Sequence, residues 1–315
     1  MKPILLASLV LFAGCAKDAA PPTSSTTPAA PAAPAAPAAP EPVATAPAEP
    51  PPPPAPPPPP APVIPPYTPA ADVPEPVRAA VTAADRDDKD RALDAGRHPA
   101  EVLAFFKVAP GQRIGELFSA GGYTTEVIAR VVGDGGKVYA QNTKDILERF
   151  ARKPLTERMA KPAMKNVAMV EQPTETPFPD DAKNLDAVIC ILNYHDYVWQ
   201  KVDRAKMNAA VFAALRPGGV YAIIDHSAAK GSGLRDVETL HRIDEDTVKQ
   251  EIMAAGFKLD AESDVLRNPD DPRDWNDSPR AAAEKRGTSD RFTLRFVKPA
   301  KGGKPVKATK PGKKG

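Results

Sequence analysis

The chain has 315 residues and a net charge of +2, but 25 of its 40 prolines fall between Pro21 and Pro76, so its averages describe no real segment. Divided by charge, residues 1–76 carry −3 (two Lys, five Asp/Glu), 77–297 carry −2 (33 Lys/Arg, 35 Asp/Glu) and 298–315 carry +7, all from lysine. A body near neutrality has no broad footprint for nucleic acid, the Pro-rich stretch lacks the Gly period of collagen, and no window after residue 12 supplies the ~20 apolar residues of a membrane span.

Lys2, a short apolar run from Ile4 to Phe12, and then Ala13, Gly14 and Cys15 read as a secretory signal. The ending Leu11-Phe12-Ala13-Gly14-Cys15 resembles a bacterial lipoprotein signal box. That resemblance implies residues 1–15 as the signal, lipid on Cys15 and, with Ala16 following, an anchor in the outer membrane facing the periplasm. An ordinary cleaved signal is the alternative. With Cys15 lipidated, Cys190 is the remaining thiol and no intrachain disulfide can form. Residues 16–76 read as a disordered polyproline-II spacer, which at ~3.1 Å per residue reaches on the order of 180 Å. The Lys-rich residues 298–315 read as a solvated tail, drawn to anionic envelope polymers or lipids by about 1 kcal/mol per Lys near a charged surface.

Between them, residues 77–297 suffice for one well-buried domain. A helical lead-in runs from about Val77 to Ala95, and a second helix starts at Pro99 with Val102, Leu103 and Phe106 on one face. Residues 112–118 form a buried-type strand, followed by a Gly-containing loop and a helix with the stripe Val127, Ile128, Val131. Strand 137–141, helix 144–152, strand 166–171 and the fully buried strand 185–192 follow, a βαβαβ order with parallel-sheet composition. A helix marked by Met207, Val211 and Leu215 ends at Arg216-Pro217-Gly218-Gly219 before strand 220–225, and a helix with Val248 and Ile252 ends at Gly256. The last two strands, within 257–266 and 290–297, are separated by polar loop rather than helix, so they add to the sheet edge antiparallel.

Five segments in this order, IGELFSAGGYTTEVIA, GKVYAQN, ETPFPDDAKNLDAVICILNYHD, ALRPGGVYAIIDH and HRIDEDTVKQEIMAAGFKL, resemble class I S-adenosylmethionine-dependent methyltransferases, in particular a branch of uncharacterised predicted bacterial members. The resemblance covers about 80–297. It implies a Rossmann-like α/β fold: a mostly parallel seven-stranded sheet, an antiparallel last strand and helices on both faces. It also implies S-adenosylmethionine as cofactor and an unknown methyl acceptor. By resemblance Glu116 orients the cofactor's amino group, Gly121, Gly122 and Tyr123 form the turn into a helix, Asn142 or Gln141 takes the place of the ribose-binding acid, and Asn193 follows the fourth strand. Phe118 and Ala120 stand where the family's turn has its first two glycines, and an amide replaces the ribose acid.

The physical reading agrees in placement: ligands of an open α/β sheet sit beyond the carboxyl ends of the strands, so the loops after 117, 141, 192 and 225 line one crevice. His195 or His226 is the candidate catalytic base, with Asp196 or Asp225 as the carboxylate that orients it, and His241, Arg242 and Asp244 are singled out beside them. Backbone capping by these histidines is the alternative for each. No tight ligand spacing suggests a metal, so none is assigned, and Cys190 reads as inert core. S-adenosylmethionine is a cytoplasmic cofactor, which an exported chain meets little of. A second reading therefore stands beside the enzyme: a non-catalytic binding protein of the same fold that recognises an envelope component. A nicotinamide dehydrogenase is disfavoured, because no G-x-G-x-x-G follows the first strand.

Overall fold

The computed structural model describes residues 67–300. The expected signal with Cys15, the expected spacer up to residue 66 and the lysines from 301 onward lie outside these described residues.

Glu75–Thr82 (α1), Asp88–Arg97 (α2) and Pro99–Phe105 (α3) precede the first strand. The expected single lead-in helix is thus two, interrupted at 83–87, where Ala83 and Asp87 take extended ψ values of 128° and 139°. Arg113–Leu117 (β1), Tyr123–Val132 (α4) and Lys137–Asn142 (β2) follow. The helix expected over 144–152 is longer and irregular: Lys144–Ile146 (α5) passes through a π turn at Leu147–Ala151 into Arg152–Met159 (α6). Then come Val167–Glu171 (β3), Leu185–Ile191 (β4), Asp196–Trp199 (α7), Arg204–Ala214 (α8), Leu215–His226 (β5), Val237–Leu240 (α9), Glu245–Ala254 (α10), Lys258–Ser263 (β6) and Arg291–Val297 (β7). Thr143, Asp203 and Asp244 accept backbone N–H groups at the starts of α5, α8 and α10, as short polar caps do.

The seven strands form one sheet in the order β3-β2-β1-β4-β5-β7-β6. β1 to β5 pair in parallel, and β7 runs antiparallel between β5 and β6. The expected fold class is therefore present, with one refinement: the last strand is interior, and β6 forms the edge. The crossing of β1 to β2 on one side and β1 to β4 on the other puts the topological switch point at the end of β1, where an open sheet leaves room for a ligand.

Alternation along the strands divides the core between two faces. Ile114, Val138, Ala140, Ala187, Ile189, Ala222 and Ile224 pack with residues of α1, α3 and α4. Leu117, Val188, Cys190, Tyr221, Ile223, Phe292, Leu294 and Phe296 pack with residues of α8 and α10. Tyr67 and Val73, ahead of residue 77, pack on the first of these layers. At the other end, Lys298 continues the pairing through backbone bonds with Gly218 and Gly219. Among the described residues no helix is long and apolar enough to cross a membrane.

Because β7 joins β5 to β6 and Leu294 is fully buried on it, Leu294→Ala is expected to lower unfolding free energy by about 2–5 kcal/mol. A chain lacking residues 289–297 is expected to lose its cooperative transition; a truncation that melts cooperatively at the same temperature would show that the sheet does not depend on β7.

Candidate functional site

Two neighbouring constellations occupy the carboxyl ends of the strands. The first is the turn between β1 and α4. Phe118, Ala120 and Gly122 all hold left-handed backbone, with φ of 55°, 48° and 84°. These are the positions at which a glycine-rich turn has its glycines, and the backbone keeps that shape with Phe and Ala in two of them, at a cost of about 1–2 kcal/mol per residue with a Cβ. Part of what holds the shape is the end of β2. Asn142 is fully buried; its Oδ1 accepts the Ala120 N–H at 2.9 Å and its Nδ2 donates to Ser119 Oγ at 2.8 Å. Gln141 Oε1 accepts the Phe118 N–H at 3.1 Å, and its Nε2 donates to the Gln172 carbonyl at 2.8 Å. Asn142, and its alternative Gln141, each taken as the residue that would face a ribose, are therefore engaged by protein partners, and both of their amide oxygens hold the turn.

The glycines at 121 and 122 give close approach, but to the protein itself. A Cβ on Gly122 would stand 2.9 Å from Leu155 Cδ1 and from Arg158 Cδ, and one on Gly121 would meet Pro154 at contact distance. Arg158 Nε donates to the Gly121 carbonyl at 2.8 Å, while its Nη1 reaches Asp90 and Glu126, each at 2.5 Å. The turn is thus buttressed by α6, α2 and α4.

Glu116, at the end of β1, is buried and accepts the Thr125 hydroxyl at 2.5 Å. Burial pushes its carboxyl up to about 7, against the Thr125 hydrogen bond and the more distant Arg158 charge. Tyr123, the first residue of α4, donates its hydroxyl to Asp94 at 2.6 Å and lies under the Arg97 guanidinium at 4.3 Å. Arg97 and Arg291 line a narrow, mostly apolar pocket together with Leu103, Tyr123, Ile191 and Ile224. Neither arginine has a carboxylate within ion-pair distance among the described residues. Arg291 donates only to the carbonyls of Ser289, Gly96 and Gly287, and burial lowers its pKa to about 10.

The second constellation is built on Asp225, the fully buried residue next to the end of β5. Asp225 Oδ2 accepts the His195 backbone N–H at 2.7 Å; its Oδ1 lies 2.7 Å from His195 Nδ1 and accepts the His226 N–H at 2.8 Å. His195 Nε2 stands 3.1 Å from Asp196 Oδ1, and His241 Nδ1 stands 3.5 Å from the same oxygen. Burial disfavours charge on His195, but the carboxylates of Asp225 and Asp196 outweigh it and push the imidazole up to about 10. A histidine so placed is a poor base near neutrality. His226 differs: burial keeps its pKa below the ordinary value even though Asp277 lies beside it, and Ser289 Oγ meets its Nδ1 at 2.9 Å.

The sequence-derived candidates His195, Asp196, Asp225 and His226 are thus brought into one cluster, in which the Asp225 and Asp196 carboxylates meet the His195 imidazole, whereas Asp225 meets only the backbone N–H of His226, whose ring faces Ser289 and Asp277 instead. Asn193 is buried beside it; its Nδ2 donates to the Ile191 carbonyl, and its Oδ1 has no hydrogen-bond partner among the described residues. Arg242 and Asp244 are structural: Arg242 is fully buried against Asp271 at 2.6 Å, and Asp244 caps α10. Cys190 lies in the core with its thiol pushed far up by burial. Sequence reasoning missed Arg97, Arg291 and Asp277. They come from the end of α2, the start of β7 and the polar loop between β6 and β7, where no local pattern marks them.

The sequence matches no family model. Solved structures with a similar fold include a SAM-dependent methyltransferase from Aquifex aeolicus, at 18% identity over 68% of this chain and 100% of that one, with a TM-score of 0.46. A chain of the complex between the Haloferax volcanii Trm112 methyltransferase activator and a putative methyltransferase is similar at 15% identity over 71% of this chain and 98% of that one, TM-score 0.48. A glycopeptide N-methyltransferase complexed with sinefungin is similar at 15% identity over 65% and 87%, TM-score 0.45.

The electrostatics of Glu116 give a signed expectation. Its folded pKa, about 7, exceeds the ordinary value of 4.5, so the native state binds more protons than the unfolded state between these values. Stability contributed by this group is therefore lost as pH rises through that window. Glu116→Gln keeps an acceptor for Thr125 and removes the titration. It is expected to shrink the stability difference between pH 5 and pH 8, measured by denaturant unfolding, by up to about 3 kcal/mol; an unchanged difference would mean that Glu116 titrates as an exposed carboxyl does.

Proposed function

We propose that the domain is an S-adenosylmethionine-dependent methyltransferase acting on an unidentified acceptor. The observation that carries this reading is the turn after β1, which keeps left-handed backbone at 118, 120 and 122 although two of those residues bear side chains. Strain of this kind persists where the surrounding structure holds it, and such positions cluster at ligand sites.

The residues fit one half of the cofactor. Glu116 offers a buried carboxylate to an amino group, the start of α4 offers backbone N–H groups, and Arg97 offers a guanidinium without a carboxylate partner at the neighbouring pocket. Gln141 and Asn142 do not fit the ribose as they stand, because their polar atoms already hold the turn. In this proposal they are scaffold, and ribose contacts come from elsewhere. When bound, the cofactor supplies an electrophilic methyl group on a sulfonium. The protein's part is to orient it at the β1 turn and to present an acceptor from the side of the histidine cluster.

A second reading, a non-catalytic binding protein of the same fold, is favoured by one observation: the turn is already closed by Leu155, Arg158, Gln141 and Asn142. Calorimetric titration of the full chain with S-adenosylmethionine separates the two. Micromolar binding, near −8 kcal/mol, is expected, and Glu116→Gln is expected to weaken it by about 10- to 100-fold through loss of a charged hydrogen bond. No binding by the folded chain would remove the enzyme reading and leave the second.

We also propose the layout read from the sequence: a lipoprotein-type signal ending at Cys15, a proline-rich spacer, the methyltransferase-like domain and a Lys-rich tail, anchored in the envelope and facing the periplasm. The Leu11-Phe12-Ala13-Gly14-Cys15 box supports the anchor. In the host bacterium, Cys15→Ser is expected to move the chain from the membrane fraction to the soluble fraction; retention in the membrane would refute lipidation as the anchor.

A further inference from the structure

We infer that His195, Asp196 and His241 form a binding site for a first-row divalent transition-metal ion, with Asp225 as the residue that positions His195. The argument begins with protons. Asp225 accepts backbone N–H groups from both His195 and His226, so it is a carboxylate acceptor, and the contact of 2.7 Å with His195 Nδ1 puts a proton on that nitrogen. In the neutral imidazole the remaining nitrogen, Nε2, then carries a lone pair. That lone pair faces Asp196 Oδ1 at 3.1 Å, and His241 Nδ1 approaches the same oxygen at 3.5 Å. His195 Nε2 and Asp196 Oδ1 are then two acceptors facing each other, and they repel unless a cation stands between them. The cation is either a second proton on His195 or a metal ion.

The spacing suits the ion. The three donor atoms lie within 4.8 Å of one another. An ion bound at about 2.0–2.2 Å to imidazole nitrogen and carboxylate oxygen sets its ligand atoms roughly 2.8–3.6 Å apart, at tetrahedral or cis-octahedral positions. The two separations about Asp196 Oδ1, 3.1 and 3.5 Å, fall in that interval. Two imidazoles and one carboxylate form a borderline donor set that suits zinc, iron, cobalt or manganese better than calcium or magnesium. The supporting shell is also present. A carboxylate on the far nitrogen of a ligating histidine fixes its tautomer and raises its basicity, and Asp225 stands there for His195. Trp199 Nε1 donates to Asp196 Oδ1 at 2.9 Å and holds that carboxylate in place.

Access and coordination number point the same way. The His195 side chain is 4% exposed, those of Asp196 and His241 are 18% and 25%, so the cluster is closed behind His195 and open beside the other two. Three protein ligands leave at least one coordination position for water or a substrate oxygen, as in metal sites that act as Lewis acids. The other His/Asp/Glu group of suitable spacing, Asp87, Asp90 and Glu126, differs in kind: Arg158 and Lys161 already neutralise it.

This inference does not depend on the methyltransferase reading, and its test does not use the cofactor. The full chain, stripped with chelator, is titrated with Co2+ and with Zn2+, reading the cobalt d–d absorption and the heat of binding. One equivalent is expected to bind. His241→Ala, at the most exposed ligand, is expected to abolish the cobalt band while melting as the wild type does, and His195→Ala is expected to abolish it as well. Asp225→Asn is expected to weaken binding about 10- to 100-fold. A folded wild-type chain with no cobalt band at millimolar Co2+, or a band unchanged by His241→Ala and His195→Ala, would overturn the proposal and leave His195 as a buried imidazolium between two carboxylates.

Discussion

The carboxylate of Asp225 ties the ends of β4 and β5 together, and the geometry of the candidate site follows from it. Fully buried at the end of an interior strand, it has no access to water, so its oxygens must be met by protein donors. It meets three: the backbone N–H of His195, the backbone N–H of His226 and the His195 imidazole. This arrangement fixes the direction in which the chain leaves β4 and the tautomer of His195. It also turns His195 Nε2 toward Asp196 and His241.

The third member of that group is delivered by a different device. Ser227 and Ile243 form a short parallel bridge just beyond β5, with Ile243 N–H donating to the His226 carbonyl at 3.0 Å. Arg242, between His241 and Ile243, is anchored on Asp271, on the Ser227 carbonyl and under the Trp275 ring at 4.5 Å. The polar loop after β6 is thus pinned to the strand ends through one buried ion pair, and His241 is held over the crevice. An ion pair removed from water at both partners contributes little net stability but fixes position strongly, because breaking it leaves a buried charge.

Much of the fold was legible because strand and helix periods differ and each run was long enough to show one. The parallel strands read as continuous apolar runs, and the absence of a helix before the final strand marked it as antiparallel. The break between α1 and α2 was not legible, since 83–87 carries no Gly or Pro to signal it. The site was legible in part. His195, Asp225 and His226 could be placed because strand ends face the crevice in any open α/β sheet. Asp271, Asp277 and Arg97 could not, because their positions depend on tertiary contacts of loop and helix ends. Asn142 shows a subtler limit. A residue type at the end of β2 can be read from sequence, but whether its amide turns outward to a ligand or back to the turn depends on which partner is nearer. In this chain the Ala120 N–H is the nearer partner.

Charge compensation separates what holds this domain together from what it has available for chemistry. Glu126 is as buried as any site residue, yet Arg130, Arg158 and Lys161 surround it and lower its pKa against the effect of burial. Such a network joins α2, α4 and α6 and has no unmet demand. Glu116 is buried with one hydroxyl partner and no paired cation among the described residues, Arg97 faces a pocket whose lining has no carboxylate, and in the metal site proposed above His195 Nε2 and Asp196 Oδ1 would share a cation. A sequence free to optimise stability alone would replace or pair such groups, because each uncompensated buried charge costs on the order of kilocalories. All three lie at the carboxyl ends of the interior strands β1, β4 and β5, where the topology leaves room for a ligand. Unmet charge and open topology coincide there, and the surrounding compensated networks keep those strand ends rigid enough for the coincidence to persist.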